Sequence, residues 1–282
     1  MTAAAEISYR PRGRAEGVVI GAHRSRSTGG QGVFLDRVPY LRYPDPRRID
    51  LRLTVHDPFE TIYVRRYEQR LAIALYAIVD LSRSMSFEGT ARKMALVREL
   101  CVCLARSAYR FGDAFGVIGC DERVRNDFLL PATRRRGLEV ELERRFESFV
   151  PERSSAAALA DAAVYLTGKR KLVFLISDFR MPLRRIEAIL QSLARHDIVP
   201  ILVLDSAEAA ALPSWGLVDV EDLETAGNRV VFMRPALRQR WLARTEEWRR
   251  SLDRLFLRYG RPAFELIDRF DADKLSQHLL ET

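Results

Sequence analysis

The chain has 282 residues, of which 48% are hydrophobic and 9% aromatic, a composition that packs a core and excludes wholesale disorder. Lys and Arg number 46 against 38 Asp and Glu, and the net charge of +8 admits anionic partners without identifying one. The longest apolar run, residues 71–79, is too short to span a bilayer, so no transmembrane segment is expected. Cys101, Cys103 and Cys120 form no CxxC pair, and their odd number points to a reduced, cytoplasmic protein.

In chain order, residues 1–70 read as an N-terminal segment of extended stretches and turns. Gly29, Gly30 and Gly32 follow a polar stretch and suggest a loop, and Pro39, Pro44 and Pro46 interrupt any helix. From residue 71 to 282 the pattern becomes one of alternating strands and helices. Residues 73–79 form a short apolar run ending at Asp80, the mark of a strand buried on both faces. A helix is expected over 90–110, where Met94, Val97, Leu100, Cys101 and Leu104 make a stripe. Strands follow over 114–120 and 124–130, then a small-residue helix over 156–166. A strand at 172–176 runs into Ser177 and Asp178, a helix covers 183–194, and a strand at 198–204 ends at Asp205. The tail reads as a hairpin (217–220 with 230–233), a long amphipathic helix carrying Trp241 and Trp248, and a last strand near 263–267. This order implies a doubly wound α/β fold, a mostly parallel sheet with helices on both faces, preceded by the extended N-terminal segment.

Open α/β sheets place ligands at the carboxyl ends of their strands. There the chain carries Asp80, Ser82 and Ser84 after the first buried strand, and Asp178 after a later one. A carboxylate followed by hydroxyls at alternate positions groups hard oxygen donors, which suit a divalent ion, Mg²⁺ first among them.

Asp80-x-Ser82-x-Ser84 after an apolar strand, with Asp178 downstream, resembles the metal-ion-dependent adhesion site of von Willebrand factor A domains. Asp45-Pro-Arg47-Arg48-Ile-Asp50, Val64-Arg-Arg-Tyr-Glu68 and the stretch 218–231 extend the resemblance. They are similar to segments of the bacterial family known as domain of unknown function 58, encoded beside MoxR-type AAA+ ATPases. The resemblance spans about residues 40–280. It implies a von Willebrand factor A-like fold and an ion held directly by Ser82 and Ser84, and through waters by Asp80 and Asp178. One coordination position would stay open for a partner's carboxylate. The adhesion-site threonine has no clean counterpart, and the resemblance puts Ser154 or Ser155 in its place. It further implies a MoxR-type ATPase as partner in chaperone-like maturation of an unknown client, with Arg47, Arg48 and Asp50 as partner contacts. More narrowly, the chain resembles the soluble accessory proteins of methanol-oxidation gene clusters, whose client is a calcium-dependent methanol dehydrogenase.

Other classes are less well supported by the residues. His23, His56, His196 and His278 stand in no HExxH or comparable setting, and no GxSxG or phosphate-binding GxxxxGK[ST] occurs. His196, in the turn 195–197, reads as a surface helix-end residue. A non-enzymatic role is therefore expected, ahead of a metal-dependent hydrolase or phosphatase using the same aspartates. Arg134–Arg136 and Arg47–Arg48 lack interleaved aromatics, so no nucleic-acid partner is expected.

Overall fold

Four apolar runs become the centre of the molecule: β3 (Ala74–Asp80), β4 (Ala114–Cys120), β6 (Leu172–Ser177) and β7 (Asp197–Leu204), with nearly every residue buried. In this computed structural model, residues 6–12, 20–151, 155–207, 213, 215–222 and 227–282 are described. The chain divides into two units: Pro11–Ile73, and Ala74–Thr282 together with the residues up to Arg10.

The second unit holds a six-stranded sheet in the order β10-β7-β6-β3-β4-β5. Here β5 is Val124–Thr133 and β10 is Phe264–Ile267. Its neighbours pair in parallel except β5, which runs antiparallel to β4 at one edge. Gly116 permits the close approach there, since a Cβ on it would lie 2.7 Å from the Leu130 carbonyl oxygen.

Strand alternation sends residues to opposite faces of the sheet. Tyr76, Ile78, Val173, Leu175 and Ile198 share one core with helix α4 (Leu183–Leu193) and helix α5 (Pro235–Arg258). On α4 the apolar positions Ile186, Ile189, Leu190 and Leu193 fall at helical spacing, and each contributes about 1.5–3 kcal/mol by burial. On the other side, helix α2 (Lys93–Phe111) packs on β3, β4 and β7 through the stripe Val97, Leu100, Cys101 and Leu104. It stops at Gly112, whose φ of +72° suits a left-handed cap. Helix α3 (Leu138–Glu147) packs on α2.

Residues 6–10 pack along this second unit. The Ile7 and Ser8 N–H groups donate to Ser107 Oγ and Ser276 Oγ, each at 2.9 Å. Arg261, 1% exposed, donates to Asp197 (3.0 Å), to the Arg10 carbonyl (3.1 Å) and to the Leu279 carbonyl (3.4 Å) of helix α6 (Ala272–Glu281).

The unit Pro11–Ile73 is built on an antiparallel pair, β1 (Ile20–Pro39) and β2 (Tyr63–Leu71). Gly29–Gly32, expected in a loop, lie inside β1. Thr28 and Val33 both pair with Glu68 of β2, so residues 29–32 stand out of the β1–β2 ladder as an insertion. The Asp-Pro-Arg-Arg-Ile-Asp signature acts locally: Asp45 caps the 3₁₀ turn Pro46–Arg48, and Asp50 caps α1 (Leu51–His56) by accepting from the Leu53 N–H.

Two other expectations change in the sheet unit. Residues 156–166 form two 3₁₀ turns, Ala157–Leu159 and Asp161–Tyr165, in place of one helix. The Ala158 N–H bonds the Asp121 carbonyl at the end of β4, which takes it out of a helical ladder. His196 is 3% exposed, not on the surface, and its Nδ1 accepts from the Lys171 N–H (3.3 Å). The hairpin forms from β8 (Gly216–Asp222) and β9 (Gly227–Met233). Among the described residues, no helix is long and apolar enough to cross a membrane.

Candidate functional site

The strand order reverses between β3 and β6: β4 and β5 continue to one side, β7 and β10 to the other. At such a switch point the loops leaving two adjacent strands diverge and open a crevice over their carboxyl ends. That is where Asp80 and Asp178 arrive.

After β3 the chain makes a tight turn. Asp80 Oδ1 accepts from the Ser82 N–H (2.9 Å), and the Ser82 and Ser84 hydroxyls share a hydrogen bond at 3.2 Å. The 3₁₀ turn Arg83–Ser86 then leads toward α2. After β6, the Ser177 hydroxyl donates to Asp80 Oδ2 (2.6 Å), joining the two turns directly. Phe179 takes a left-handed conformation, φ 52°, which sends its N–H back to Ser177 Oγ (2.9 Å). Left-handed backbone at a bulky residue is costly and is held by its surroundings. Here the buried Phe179 ring packs edge-on against Phe256 at 5.0 Å.

Asp178 meets a cation from the protein itself. Lys93, the first residue of α2, places Nζ 3.0 Å from Asp178 Oδ2 and 3.4 Å from the Ser84 carbonyl. Asp178 Oδ1 accepts from the Arg180 N–H (3.1 Å). Asp80, Ser82, Ser84, Lys93, Ser177 and Asp178 are all buried, none more than 6% exposed. Burial, then the neighbouring Asp178 charge, pushes the Asp80 carboxyl up to about 6 against the pull of its hydroxyl and N–H donors.

A third strand-end carboxylate fastens the loop above. Asp205, leaving β7, accepts from the N–H groups of Gly89 (3.2 Å), Thr90 (3.0 Å), Ala91 (3.0 Å) and Ala207 (2.8 Å). Burial works to raise its pKa, but these four donors together hold the carboxyl below its ordinary value. A Cβ on Gly89 would sit 2.7 Å from Asp205 Oδ1, so glycine allows the loop to close down on it. Around this buried frame the side chains of Glu88, Thr90, Arg92 and Arg180 are exposed. Arg180 lies over the Trp248 ring, 5.0 Å from its centroid.

The structure thus brings Asp80, Ser82, Ser84 and Asp178 together. Ser154 lies outside the described residues. Ser155 is half-buried, and no hydrogen bond among the described residues links it to the cluster. Of the expected partner contacts, Asp50 has a structural role: it is 1% exposed and ion-paired to Arg37 (2.7 Å) and Arg65 (2.9 Å). Arg48 pairs with Asp45 (2.9 Å), whereas Arg47 is exposed.

Sequence alone assigns Lys93 no role and Asp205 only that of ending a strand. Lys93 precedes Val97, Leu100 and Leu104 by 4, 7 and 11 residues, so the helical period already places it on the buried stripe. A lysine in that phase was the available signal.

The donor set does not suit a resident divalent ion. Both oxygens of Asp80 and both of Asp178 already accept hydrogen bonds, and an ammonium is seated on one of them. An ion bridging the same carboxylates would share a buried pocket with that like charge.

Residues 39–251 match the family model described as "Protein of unknown function DUF58". A protein of Paracoccus denitrificans described as "Uncharacterized protein in moxR 3'region" is 31% identical over 105 residues, covering 36% of this chain and 96% of that protein. Among solved structures, the conserved hypothetical protein BatB from Bacteroides thetaiotaomicron is similar with a TM-score of 0.43 and 15% identity, over 74% of this chain and 98% of that one. An aerotolerance-related membrane protein from Bacteroides fragilis NCTC 9343 is similar with a TM-score of 0.45 and 15% identity, over 75% of this chain and 100% of that one.

Proposed function

The chain belongs to the family of proteins of unknown function DUF58, and from that premise we propose that it is a non-enzymatic adaptor for a MoxR-type AAA+ ATPase. The docking surface is the rim over the carboxyl ends of β3, β6 and β7. One observation carries this reading: three loops from different strands are fastened by buried Asp80, Asp178 and Asp205 while Glu88, Thr90, Arg92 and Arg180 stay exposed above them. A surface held in one conformation before binding loses little entropy on docking, which favours recognition of a partner.

The name of the Paracoccus denitrificans relative, placed in a moxR 3' region, supports the choice of ATPase. The six-stranded order with a single antiparallel edge, together with Asp80-x-Ser82-x-Ser84 at the switch point, supports a von Willebrand factor A-like fold. In this reading the ATPase and adaptor together remodel a client protein. Its narrowest form makes that client a methanol dehydrogenase being loaded with calcium, and the adaptor cytoplasmic. Exposed Arg47 of the unit Pro11–Ile73 supplies a second contact. A hydrolase is disfavoured because the carboxylates that would act are buried and committed to protein donors.

Reversal of charge on the rim tests the proposal. Arg92→Glu with Arg180→Glu should abolish co-purification with the MoxR-type ATPase. Arg134→Glu, beside Gly112 at the opposite edge of the sheet, should leave it intact. Undiminished capture by the rim variant would refute this docking surface.

A further inference from the structure

Lys93 is the member of the cluster that an ion site does not account for. It opens α2, where the positive end of the helix dipole disfavours a cation, and it is 2% exposed. Its place on the stripe with Val97 and Leu100 would be filled as well by methionine, so packing alone does not explain the charge. What does explain it is the set of acceptors around Nζ: Asp178 Oδ2 at 3.0 Å, the Ser84 carbonyl at 3.4 Å and the Phe87 ring face at 5.7 Å. These acceptors come from the loops leaving β3 and β6.

We propose that Lys93 is the resident cation of this site: its ammonium joins the two acidic turns as a divalent ion would, and the docking rim is assembled without metal. The Ser82 and Ser84 hydroxyls, which share one hydrogen bond, and the Asp80 carboxylate, which accepts from the Ser82 N–H and the Ser177 hydroxyl, extend the network beside it. Removing the ammonium leaves two carboxylates and two hydroxyls with no cation between them, which is a donor set for a hard ion. The lysine therefore excludes the ion from a site otherwise equipped to take one. The inference takes the rim of the proposed docking surface as given and concerns only what holds it together.

The experiment is a calorimetric titration with Mn²⁺ and Mg²⁺ of the wild-type chain, of Lys93→Met, and of Lys93→Met with Asp80→Asn. Thermal melts with Mg²⁺ or with EDTA accompany it. Wild type should give no saturable binding and a Tm indifferent to either additive. Lys93→Met should bind Mn²⁺ at least about tenfold more tightly than wild type and melt higher with the ion present. The added Asp80→Asn should remove that gain. Binding by wild type that is lost on Asp80→Asn would overturn the proposal, as would a folded Lys93→Met that gains nothing. Should Lys93→Met fail to fold alone, refolding with Mn²⁺ present is the readout: rescue supports the proposal and no rescue overturns it. No ATPase enters these measurements, so their failure and that of the partner assignment are separate results.

Discussion

Both units of the chain bury an aspartate against cations, and they do so in opposite ways. In the unit Pro11–Ile73, Asp50 receives two guanidinium groups whose own side chains remain about half exposed, Arg37 at 50% and Arg65 at 45%. Hydrogen bonds from Arg65 and Arg37 hold its carboxyl well below the usual carboxylate range. In the sheet unit, Asp178 is met by a single ammonium that is itself buried, and Asp80 beside it is pushed upward by burial and by the Asp178 charge. The first arrangement keeps solvent on the cations, so desolvation falls on the carboxylate alone. The second removes every partner from water, so it is stable only while complete. The difference separates a clamp that tolerates damage from a hub that does not.

The largest effect should come from breaking the hub. Asp178→Ala strands the Lys93 ammonium and should cost about 3–5 kcal/mol in denaturant unfolding, whereas Lys93→Met with Asp178→Leu should recover most of that loss. A double variant no better than the single one would mean that the surrounding turns, and not the pair, set the cost. Asp205→Ala removes one acceptor from four N–H groups and should cost about 2 kcal/mol, with faster amide exchange concentrated in residues 89–91. Exchange rising equally throughout the sheet would count against its role as a local fastener.

A pH titration sharpens the comparison using a third buried group. Burial, then the charges of Arg195, Lys171 and Arg170, depress His196 from 6.5 to about 4. Between those values the unfolded chain binds a proton that the folded chain does not. Stability contributed by this group is therefore present above pH 6.5 and falls as the pH drops toward 4, by at most about 1.4 kcal/mol per pH unit. His196→Gln should flatten that slope in stability measured by urea unfolding; an unchanged slope would assign it elsewhere. The smallest effect is expected at the clamp. Arg37→Gln leaves Asp50 paired with Arg65, and should alter amide exchange in β1 and β2 without moving the unfolding of the sheet unit.

How far the residues disclosed this architecture depends on the range of the forces involved. The strands β3, β4, β6 and β7 were legible because burial on both faces writes an unbroken apolar run. Their order then delivered Asp80 and Asp178 to one edge. The Lys93–Asp178 pair was not legible, because it joins positions 85 residues apart and only the helical phase of Lys93 hinted at burial. Asp50 shows a related limit: a short signature shows that a residue matters, not whether it faces inward, as Asp50 does, or outward. The segment 156–166 misled through propensity, since its alanines favour helix while a long-range bond to Asp121 draws the backbone elsewhere. The turn 195–197 at a helix end suggests a surface position for His196, yet its ring is turned inward onto the Lys171 amide.

Arg261 carries a consequence for how the chain comes into being. It fastens the Arg10 carbonyl, and Ser276 holds Ser8, so residues 8–10 are secured by residues more than 250 positions further along the chain. The strap at residues 6–10 must therefore wait, unattached at that end, while some 250 further residues are translated. Until those residues are made, the bond from the Ile7 N–H to Ser107 Oγ can hold the strap's other end against α2.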